Sequence, residues 1–384
     1  MLLTAGTVAT GRDVLRPGWI EFAGATVTAV GPGAPGRPVD CDLGAATVVP
    51  GFVDTHVHGG GGQSFSGGLP GAASVVALHR RHGTTSMIAS LVSEAPDDLL
   101  RQVADLVEAV RSGLIAGIHL EGPWLAVQRC GAHDPDLLRD PDPAEVDRLL
   151  AAAEGTIRMI TLAPERPGAL EAIRRIVASG AVAAVGHTDA SYEQTRAAIA
   201  AGATVATHLF NAMRPIHHRE PGPVIALLED PVVTVELIAD GVHLDAALLR
   251  HVIRSVGTER VSLVTDAMAA AGMTDGAYRI GPLAVEVNDG VAHLSGTTTI
   301  AGSTATMDRL FRYVIAHCGR PERDALALAV QQSSVNPARA LGLPCPALIP
   351  GAAADLVILD TDLAVTAVLC RGEWVDGRHP ISAA

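Results

Sequence analysis

The chain has 384 residues, and its composition alone excludes several classes of protein. All 28 basic residues are arginine, which excludes a Schiff-base enzyme, a P-loop NTPase and a metal site bridged by a carbamylated lysine. The formal net charge of -13 argues against non-specific binding of nucleic acid. Because 48% of the residues are hydrophobic, the chain can bury a large core, in one large domain with an appendage or in two domains.

Five cysteines lie at widely spaced positions, and none forms a CxxC pair. This pattern predicts reduced thiols rather than a disulfide framework. The N-terminal segment lacks the basic and apolar regions of a signal peptide. No stretch of the sequence has the length and apolar composition of a membrane span. We therefore expect a cytoplasmic protein that does not bind membranes.

Short β-type segments occur near both ends of the chain. Residues 20–22 and 26–30 flank a turn and predict a hairpin. Residues 355–359 and 364–370 are strand-like near the C-terminus. Neither end has enough strands for a stable sheet of its own, so we expect the two ends to pair in one small β-sandwich.

Between these ends, apolar β-type runs alternate with amphipathic helical stretches. The eight runs are 48–58, 84–92, 114–121, 158–164, 182–188, 203–210, 232–239 and 260–266. The helical stretches include 72–82, 96–112, 143–153, 168–179, 191–201 and 245–256. Eight alternating units predict a parallel sheet closed as a (β/α)8 barrel. A doubly wound open sheet is the alternative, but no GxGxxG motif follows the first strand.

The predicted fold class is therefore α/β, a (β/α)8 TIM-like barrel with a small β-sandwich formed by both termini. We place the β-sandwich domain at residues 1–47 plus 349–384 and the (β/α)8 barrel domain at 48–348.

Polar side chains cluster at the predicted C-terminal ends of the barrel strands, where reactive residues of such barrels lie. The first strand ends in His56 and His58, which alternation places on one face, about 7 Å apart, so that both can bind one ion. Glu121 ends an otherwise apolar run, where an unpaired carboxylate would be costly. Three further candidate metal ligands end the fifth, sixth and eighth strands, namely His187, His208 and Asp266.

Glu121, His187 and His208 form a three-ligand set that leaves a position open for water, which is typical of a catalytic zinc site. His56 and His58 provide for a second ion. Because the chain has no lysine, any side chain that bridges two ions must be a carboxylate such as Glu121. Zinc suits nitrogen and oxygen ligands best, and iron, cobalt or manganese are alternatives.

A bound divalent ion lowers the pKa of its water to about 7. Asp266 is placed to accept that proton and pass it to a leaving nitrogen, with a strand-end cap as the alternative interpretation. His119 shares the face of Glu121 and is either a ligand or a supporting residue.

The loops after the strands contain candidate substrate contacts. His133 offers polarisation of a substrate oxygen. Arg219 is a candidate anion clamp, because arginine binds phosphate in a bidentate manner, or else a solvated loop residue. His243 either contacts a substrate anion or is structural. The glycine-rich segment 59–71 suits a mobile or closely approaching backbone, without the spacing of a phosphate-binding loop.

A series of motifs in chain order carries a family resemblance: PGFVDTHVHGGGG, HLEGPW, GAHD, TLAPE, GHTDA, THLFNAMRP, ADGVHL, VTDAM and AGST. Over nearly its whole length the chain resembles the N-acetylglucosamine-6-phosphate deacetylases of the amidohydrolase superfamily. HLEGP, THLFNAM and ADGVHL together are specific to these enzymes, whereas HxH and VTDA mark only the superfamily.

The resemblance implies hydrolysis of the acetamide of N-acetyl-D-glucosamine 6-phosphate to D-glucosamine 6-phosphate and acetate. It implies a metal held by Glu121, His187 and His208. It also implies Asp266 as general base and then acid, with His133 assisting at the acetamide carbonyl. Some family members have Gln and Asn in place of the two HxH histidines and use one metal. This chain keeps both histidines, which allows a two-metal site, so we expect one or two divalent ions per subunit.

The resemblance also implies the substrate contacts and the assembly. The expected substrate-binding residues are Ala132, His133, Asn211, Ala212, Arg219, Asp240, His243, Thr299, Ile300 and Ala301. The arginine is contributed to the neighbouring subunit's site, which implies a homodimer. The alternatives are a deacetylase of another amino sugar phosphate, such as N-acetylgalactosamine 6-phosphate, and a non-catalytic phosphosugar sensor.

Overall fold

The structure is a computed structural model, and it describes residues 1–377. The described chain packs as two compact units. One comprises Met1–Asp54, Ala77–Ser86 and residues 306–377, and the other comprises Thr55–Val76 and Met87–Ala305. The domain boundaries at 47/48 and 348/349 stay a prediction, and residues 378–384 of the predicted sandwich lie outside the described residues.

The two ends of the chain form two β-sheets around one apolar core. The four-stranded sheet has the order Thr26–Pro32, Gly18–Ala23, Leu2–Ala5 and Cys41–Asp42. The six-stranded sheet has the order Glu373–Trp374, Val365–Cys370, Leu356–Leu359, Thr47–Pro50, Thr7–Ala9 and Val14–Leu15. Leu3 and Ile20 of the first sheet share the core with Val48 and Leu356 of the second.

The strand pairing confirms two of the predictions made for these segments, the hairpin and the pairing of the two ends. Gly18–Ala23 pairs antiparallel with Thr26–Pro32, which is the predicted hairpin. Leu356–Leu359 pairs antiparallel with Thr47–Pro50, so that a C-terminal strand completes a sheet begun near the N-terminus. The four-stranded sheet, however, contains N-terminal strands only, so the prediction that neither end has enough strands for a sheet was wrong for the N-terminal end.

Eight further strands form one sheet whose order follows the order of the strands in the chain. They are Phe52–Val57, Thr84–Leu91, Gly117–Glu121, Ile157–Leu162, Val182–Val185, Val205–Ala206, Thr234–Leu237 and Val261–Leu263. Val57 also forms a parallel bridge with Ala267, directly after the eighth strand. This topology confirms the (β/α)8 barrel and excludes the doubly wound alternative.

A helix follows each barrel strand. These helices are Gly68–Arg81, Pro96–Arg111, Pro143–Ala152, Ala169–Ala178, Tyr192–Ala200, Gly222–Glu229, Ala246–Val256 and Met307–His317. Several begin at side-chain caps, for example at Asp142 and at Ser191, where Gln194 completes a capping box. Glu322–Val330, a π-helical turn at Gln331–Val335 and Asn336–Ala340 follow the eighth helix.

A three-stranded antiparallel sheet lies between the eighth barrel strand and its helix, and it was not predicted. Its strands are Gly276–Ile280, Leu283–Asn288 and Val291–Leu294. Apolar residues of this sheet pack against Met268 and Ala301, which positions the segment at 298–302 beside the end of the barrel. Among residues 1–377, no helix is long and apolar enough to cross a membrane.

Candidate active site

The carboxyl ends of the barrel strands bring the six predicted metal ligands into one buried cluster. Its members are His56, His58, Glu121, His187, His208 and Asp266. One oxygen of Glu121, Oε1, lies 3.1 Å from His187 Nε2 and 2.9 Å from His208 Nε2. The other oxygen, Oε2, lies 3.2 Å from His58 Nε2. Glu121 therefore has one oxygen beside each half of the cluster.

The half of the cluster built on the first strand also contains the eighth-strand aspartate. His56 Nε2 lies 3.2 Å from His58 Nε2. Asp266 Oδ1 lies 3.5 Å from His56 Nε2 and 3.2 Å from His58 Nε2. These three residues form one compact group of potential ligand atoms, in which Asp266 joins the two histidines predicted to hold a second ion.

The outer ring nitrogens of two cluster histidines bind backbone carbonyl groups. His58 Nδ1 lies 3.2 Å from Ser90 O, and His187 Nδ1 lies 2.8 Å from Arg129 O. A carbonyl oxygen only accepts a hydrogen bond, so Nδ1 carries the hydrogen in both rings. When the ring is neutral, each Nε2 therefore presents its lone pair to the cluster, as a metal ligand must.

His133 lies beside the cluster but has the opposite tautomer. Its Nδ1 accepts a hydrogen bond from the Ser93 backbone N–H at 3.2 Å, and the Ser93 hydroxyl lies 2.9 Å from the same atom. A neutral ring with an accepting Nδ1 carries its hydrogen on Nε2, which lies 3.2 Å from Glu121 Oε2. Although His133 is close enough to act as a ligand, this tautomer makes it a hydrogen-bond donor towards the cavity.

His119 is excluded from the ligand set by its own hydrogen bonds. The ring is fully buried, with Nδ1 2.9 Å from the Ser90 hydroxyl and Nε2 2.8 Å from the Thr161 hydroxyl. Because both nitrogens face hydroxyl groups, neither is directed at the Glu121 carboxylate. The alternative in which His119 supports its neighbours is therefore the one that the geometry favours.

Three cluster residues leave the extended backbone at the ends of their strands. The φ angles are +47° at His187, +28° at His208 and +48° at Asp266. Residues with a Cβ rarely adopt this left-handed region, and the strain costs on the order of 1–3 kcal/mol per residue. Strained residues of this kind concentrate at functional sites, so the backbone independently supports the assignment made from side chains.

The buried charges of the cluster favour a bound cation. Burial acts to raise the pKa of Glu121, but His56 and His187 hold it well below its usual range. Burial acts to lower the pKa of His58, yet hydrogen bonds to Asp266 and Glu121 raise it to about 9. The carboxylates of Glu121 and Asp266 are thus ionised at neutral pH. Their negative charges attract either protons or a metal ion to the neighbouring imidazoles.

The donor set fits a divalent metal. Ring nitrogens meet in two close pairs, His56 with His58 at 3.2 Å and His187 with His208 at 3.1 Å. Each pair of Nε2 atoms either shares a proton or binds one cation through both lone pairs. Imidazole nitrogen and carboxylate oxygen are common ligands of divalent transition metals.

A cavity of about 520 Å³ opens above the cluster. Its lining includes His58, Glu121, His133, His187, His208 and Asp266. Besides His133, six of the ten predicted substrate residues line it, namely Ala132, Asn211, Ala212, His243, Thr299 and Ile300. The volume falls within the usual range of small-molecule sites.

Three predicted substrate residues lie outside this lining. Asp240 accepts a hydrogen bond from His243 Nδ1 at 2.8 Å, so it positions the cavity histidine. Ala301 is fully buried beneath the lining. Arg219 lies on an exposed loop with Nη1 2.8 Å from His218 Nε2, and a single chain does not bring it to the cavity.

Sequence reasoning missed several residues of the site. Gln128, Arg129 and Thr298 line the cavity; the first two lie in the short 3-10 helix Val127–Arg129, which has no clear sequence signal, and Thr298 lies in a loop. Glu236 is buried behind His56, with its Oε2 3.3 Å from His56 Nδ1. A signal for Glu236 was present, because it is an acidic residue in an otherwise apolar strand, as Glu121 is.

Comparisons with known proteins agree with this architecture. The model of the amidohydrolase family matches residues 47–375. The chain is 35% identical over 380 residues to the N-acetylgalactosamine-6-phosphate deacetylase of Escherichia coli O157:H7, covering 96% of this chain and 97% of that protein. It is 37% identical over 352 residues to the human N-acetylglucosamine-6-phosphate deacetylase, covering 87% of this chain and 84% of that protein.

Solved structures extend the similarity. One is a mutant N-acetyl-D-glucosamine-6-phosphate deacetylase from Mycobacterium smegmatis in complex with N-acetyl-D-glucosamine-6-phosphate. It is 65% identical with a TM-score of 0.97, covering 98% of this chain and 99% of that chain. An N-acetylglucosamine-6-phosphate deacetylase from Thermotoga maritima is 28% identical with a TM-score of 0.88, covering 98% and 99% of the two chains.

Proposed function

Because the chain belongs to the amidohydrolase family, we propose that it hydrolyses the acetamide of N-acetyl-D-glucosamine 6-phosphate. The products are acetate and D-glucosamine 6-phosphate. One observation carries the proposal: Glu121, Asp266 and His133 meet four further histidines beside one cavity. The similarity to deacetylases of phosphorylated amino sugars supports the choice of substrate.

The metal of this reaction is one or two divalent ions per subunit, and we propose zinc. Glu121, His187 and His208 hold one ion, and His56, His58 and Asp266 hold the second. Ions held there supply Lewis-acid activation of a water molecule and of the acetamide carbonyl. Iron, cobalt and manganese are the alternatives for the same ligands.

Asp266 moves the proton in this proposal. Asp266 lines the cavity, and its Oδ1 lies within 3.5 Å of the first-strand histidines. Neighbouring imidazoles lower the pKa of Asp266 although burial acts to raise it, so the carboxylate is ionised and can accept a proton from water. It then delivers that proton to the amine nitrogen as the C–N bond breaks.

His133 stabilises the negative charge that develops on the carbonyl oxygen. The Ser93 backbone N–H fixes the hydrogen of the ring on Nε2, which points into the cavity. Burial lowers the pKa of His133 to about 4, so the donor is a neutral imidazole at physiological pH. A neutral donor that is already oriented needs no reorganisation as the charge forms.

The phosphosugar is held by residues around the cavity. Asn211, the Ala212 backbone and His243 contact the substrate, with Ala132, Thr299 and Ile300 along the walls. Asp240 and Ala301 support this lining from behind. We further propose a homodimer in which Arg219 reaches the neighbouring subunit's site, which accounts for its position outside the cavity of its own chain.

We propose a cytoplasmic location. Five free cysteines at dispersed positions suit a reducing compartment.

A second candidate substrate is N-acetyl-D-galactosamine 6-phosphate. The observation that favours it is the 35% identity to a deacetylase of this epimer over almost the full length of both chains. The two sugars differ in the configuration of one hydroxyl group, so the same metal cluster serves either substrate.

Acetate release tests both candidates. The protein is depleted of metal, reconstituted with zinc, iron, cobalt or manganese, and assayed with the two 6-phosphates and with unphosphorylated N-acetylglucosamine. We expect metal-dependent acetate release and the highest kcat/KM for N-acetyl-D-glucosamine 6-phosphate. Absence of acetate release with every metal would refute the proposal, and a preference for the galactosamine epimer would select the alternative.

A further inference from the structure

Glu236 is a buried carboxylate that the proposed reaction leaves without a role. It lies on the barrel strand Thr234–Leu237, and its side chain is 2% exposed. Oε2 lies 3.3 Å from His56 Nδ1, and the Thr55 hydroxyl donates to Oε1 at 3.2 Å. The backbone N–H of His208 also donates to Oε2, at 3.4 Å. A charge buried to this extent is costly unless its partners compensate.

The contact with His56 determines which nitrogen of that ring faces the cluster. A carboxylate only accepts hydrogen bonds, so His56 Nδ1 carries the hydrogen and Nε2 presents a lone pair. The corresponding partners of His58 and His187 are neutral backbone carbonyls. His56 thus differs from these two in having a charged partner, which increases the electron density available at Nε2.

The charges of the cluster also indicate that Glu236 acts on the half-site of His56, His58 and Asp266. Glu121 and Asp266 carry two negative charges, which balance one divalent ion. A second ion adds two positive charges to a buried site, and Glu236 is the acidic side chain packed behind His56. The hydrogen bond from His208 to Glu236 has less effect on the other half-site, because it is long and involves the His208 backbone rather than its ring.

We infer that Glu236 is a positioning residue for the ion held by His56, His58 and Asp266, and that this ion depends on it more than the ion at Glu121, His187 and His208. The inference rests on the proposed metal-dependent function. Glu236 does not contact substrate in this proposal. The effect of replacing it is therefore measured on metal binding rather than on turnover alone.

The experiment compares zinc binding by the full chain and by three variants. Zinc content is measured by elemental analysis, and the two dissociation constants by competition with a chromophoric chelator. Cobalt-substituted protein provides an absorption spectrum for each half-site. Glu236→Gln keeps the side-chain shape and removes the charge, whereas Thr55→Val removes one hydrogen bond to Glu236. Glu145→Gln is the matched control, because Glu145 is a buried carboxylate bound to Trp124 and Arg139, away from the cluster.

We expect the unmodified chain to bind two ions. Glu236→Gln should weaken one ion by about 10–100-fold, the usual effect of removing the outer partner of a ligating histidine. Thr55→Val should weaken the same ion by a smaller factor, and Glu145→Gln should leave both constants unchanged. The cobalt spectrum of Glu236→Gln should lose the contribution of the first-strand half-site.

Several results would overturn the inference. Wild-type affinities for both ions in Glu236→Gln would do so, as would equal weakening of both. If Glu236→Gln fails to fold, Thr55→Val decides: selective weakening of the ion at the first-strand half-site supports the inference, whereas unchanged affinities or selective weakening of the other ion overturn it. One ion in the unmodified chain would refute the role of Glu236 and leave the hydrolase intact, whereas no bound ion would refute the metal-dependent function itself.

Discussion

The hydrogen bonds of His133 give a quantitative test of its proposed role at the acetamide carbonyl. His133→Ala removes an Nε2–H donor that is directed into the cavity. Loss of one such donor typically lowers kcat by about 10²–10³-fold, or roughly 3–4 kcal/mol of transition-state stabilisation. Because the donor acts mainly on charge that forms in the transition state, KM should change by less than about threefold.

Ser93→Ala tests a smaller change at the same histidine. It removes the hydroxyl that lies 2.9 Å from His133 Nδ1, but the backbone N–H at 3.2 Å remains and still fixes the tautomer. The loss is one hydrogen bond of about 1 kcal/mol, so kcat should fall by about fivefold or less. His251→Ala, which removes an exposed helical histidine, is the control and should leave kcat unchanged.

Steady-state kinetics of acetate release across pH provides the assay. Burial lowers the pKa of His133 to about 4, so its imidazole is neutral from about pH 6 to 9 and the ratio of wild-type to His133→Ala activity should be constant there. A ratio that changes around the usual histidine pKa would show that the donor titrates. Retention of kcat within about threefold in His133→Ala, or an equal loss in Ser93→Ala, would refute the reasoning.

Three further predictions concern proton transfer, phosphate and acid stability. Asp266→Asn should lower kcat by about 100-fold or more, and near-normal turnover would exclude proton transfer by Asp266. Arg219→Ala should raise KM for the 6-phosphate by about tenfold. An equal effect on unphosphorylated N-acetylglucosamine would contradict the phosphate contact. Burial acts to raise the pKa of Asp308, but hydrogen bonds with His82 and Thr306 lower it to about 2, from an ordinary 3.8. The ionised form therefore contributes about 2 kcal/mol that is fully present above pH 4 and is lost as the pH falls towards 2. Urea unfolding should show Asp308→Asn to be less stable by this amount at about pH 6, with the difference shrinking below pH 4; a constant difference would contradict the assignment.

The regular part of the barrel was predictable because its local signals agree with its tertiary environment. The amphipathic stretch predicted at 96–112 is the helix Pro96–Arg111, and the apolar run predicted at 84–92 is the strand Thr84–Leu91. Both have the periodicity of a buried face and clear boundaries. The match of the amidohydrolase family model over residues 47–375 and the similarity to N-acetylglucosamine-6-phosphate deacetylases confirm the family resemblance read from the motifs.

The elements that were missed lack such signals. Gly222–Glu229 is apolar on most of its surface, so it has no polar face from which a helical period can be read. The strands from Gly276–Ile280 to Val291–Leu294 interrupt the alternation of strand and helix that organised the prediction. The run predicted at 203–210 contains only the short strand Val205–Ala206, because the backbone turns at His208.

The left-handed turns explain why the site could be located in the sequence while its geometry could not. Local backbone preference favours glycine or asparagine where φ is positive, but His187, His208 and Asp266 occupy such positions. Each turn redirects the chain at the end of its strand while its side chain stays in the buried cluster. Replacement by glycine would relieve the strain and remove the functional group, so at these positions the requirement for a ligand or proton carrier outweighs local stability. A sequence pattern identifies the residue types that chemistry requires, whereas the departure from regular backbone that aligns them depends on contacts formed across the whole barrel.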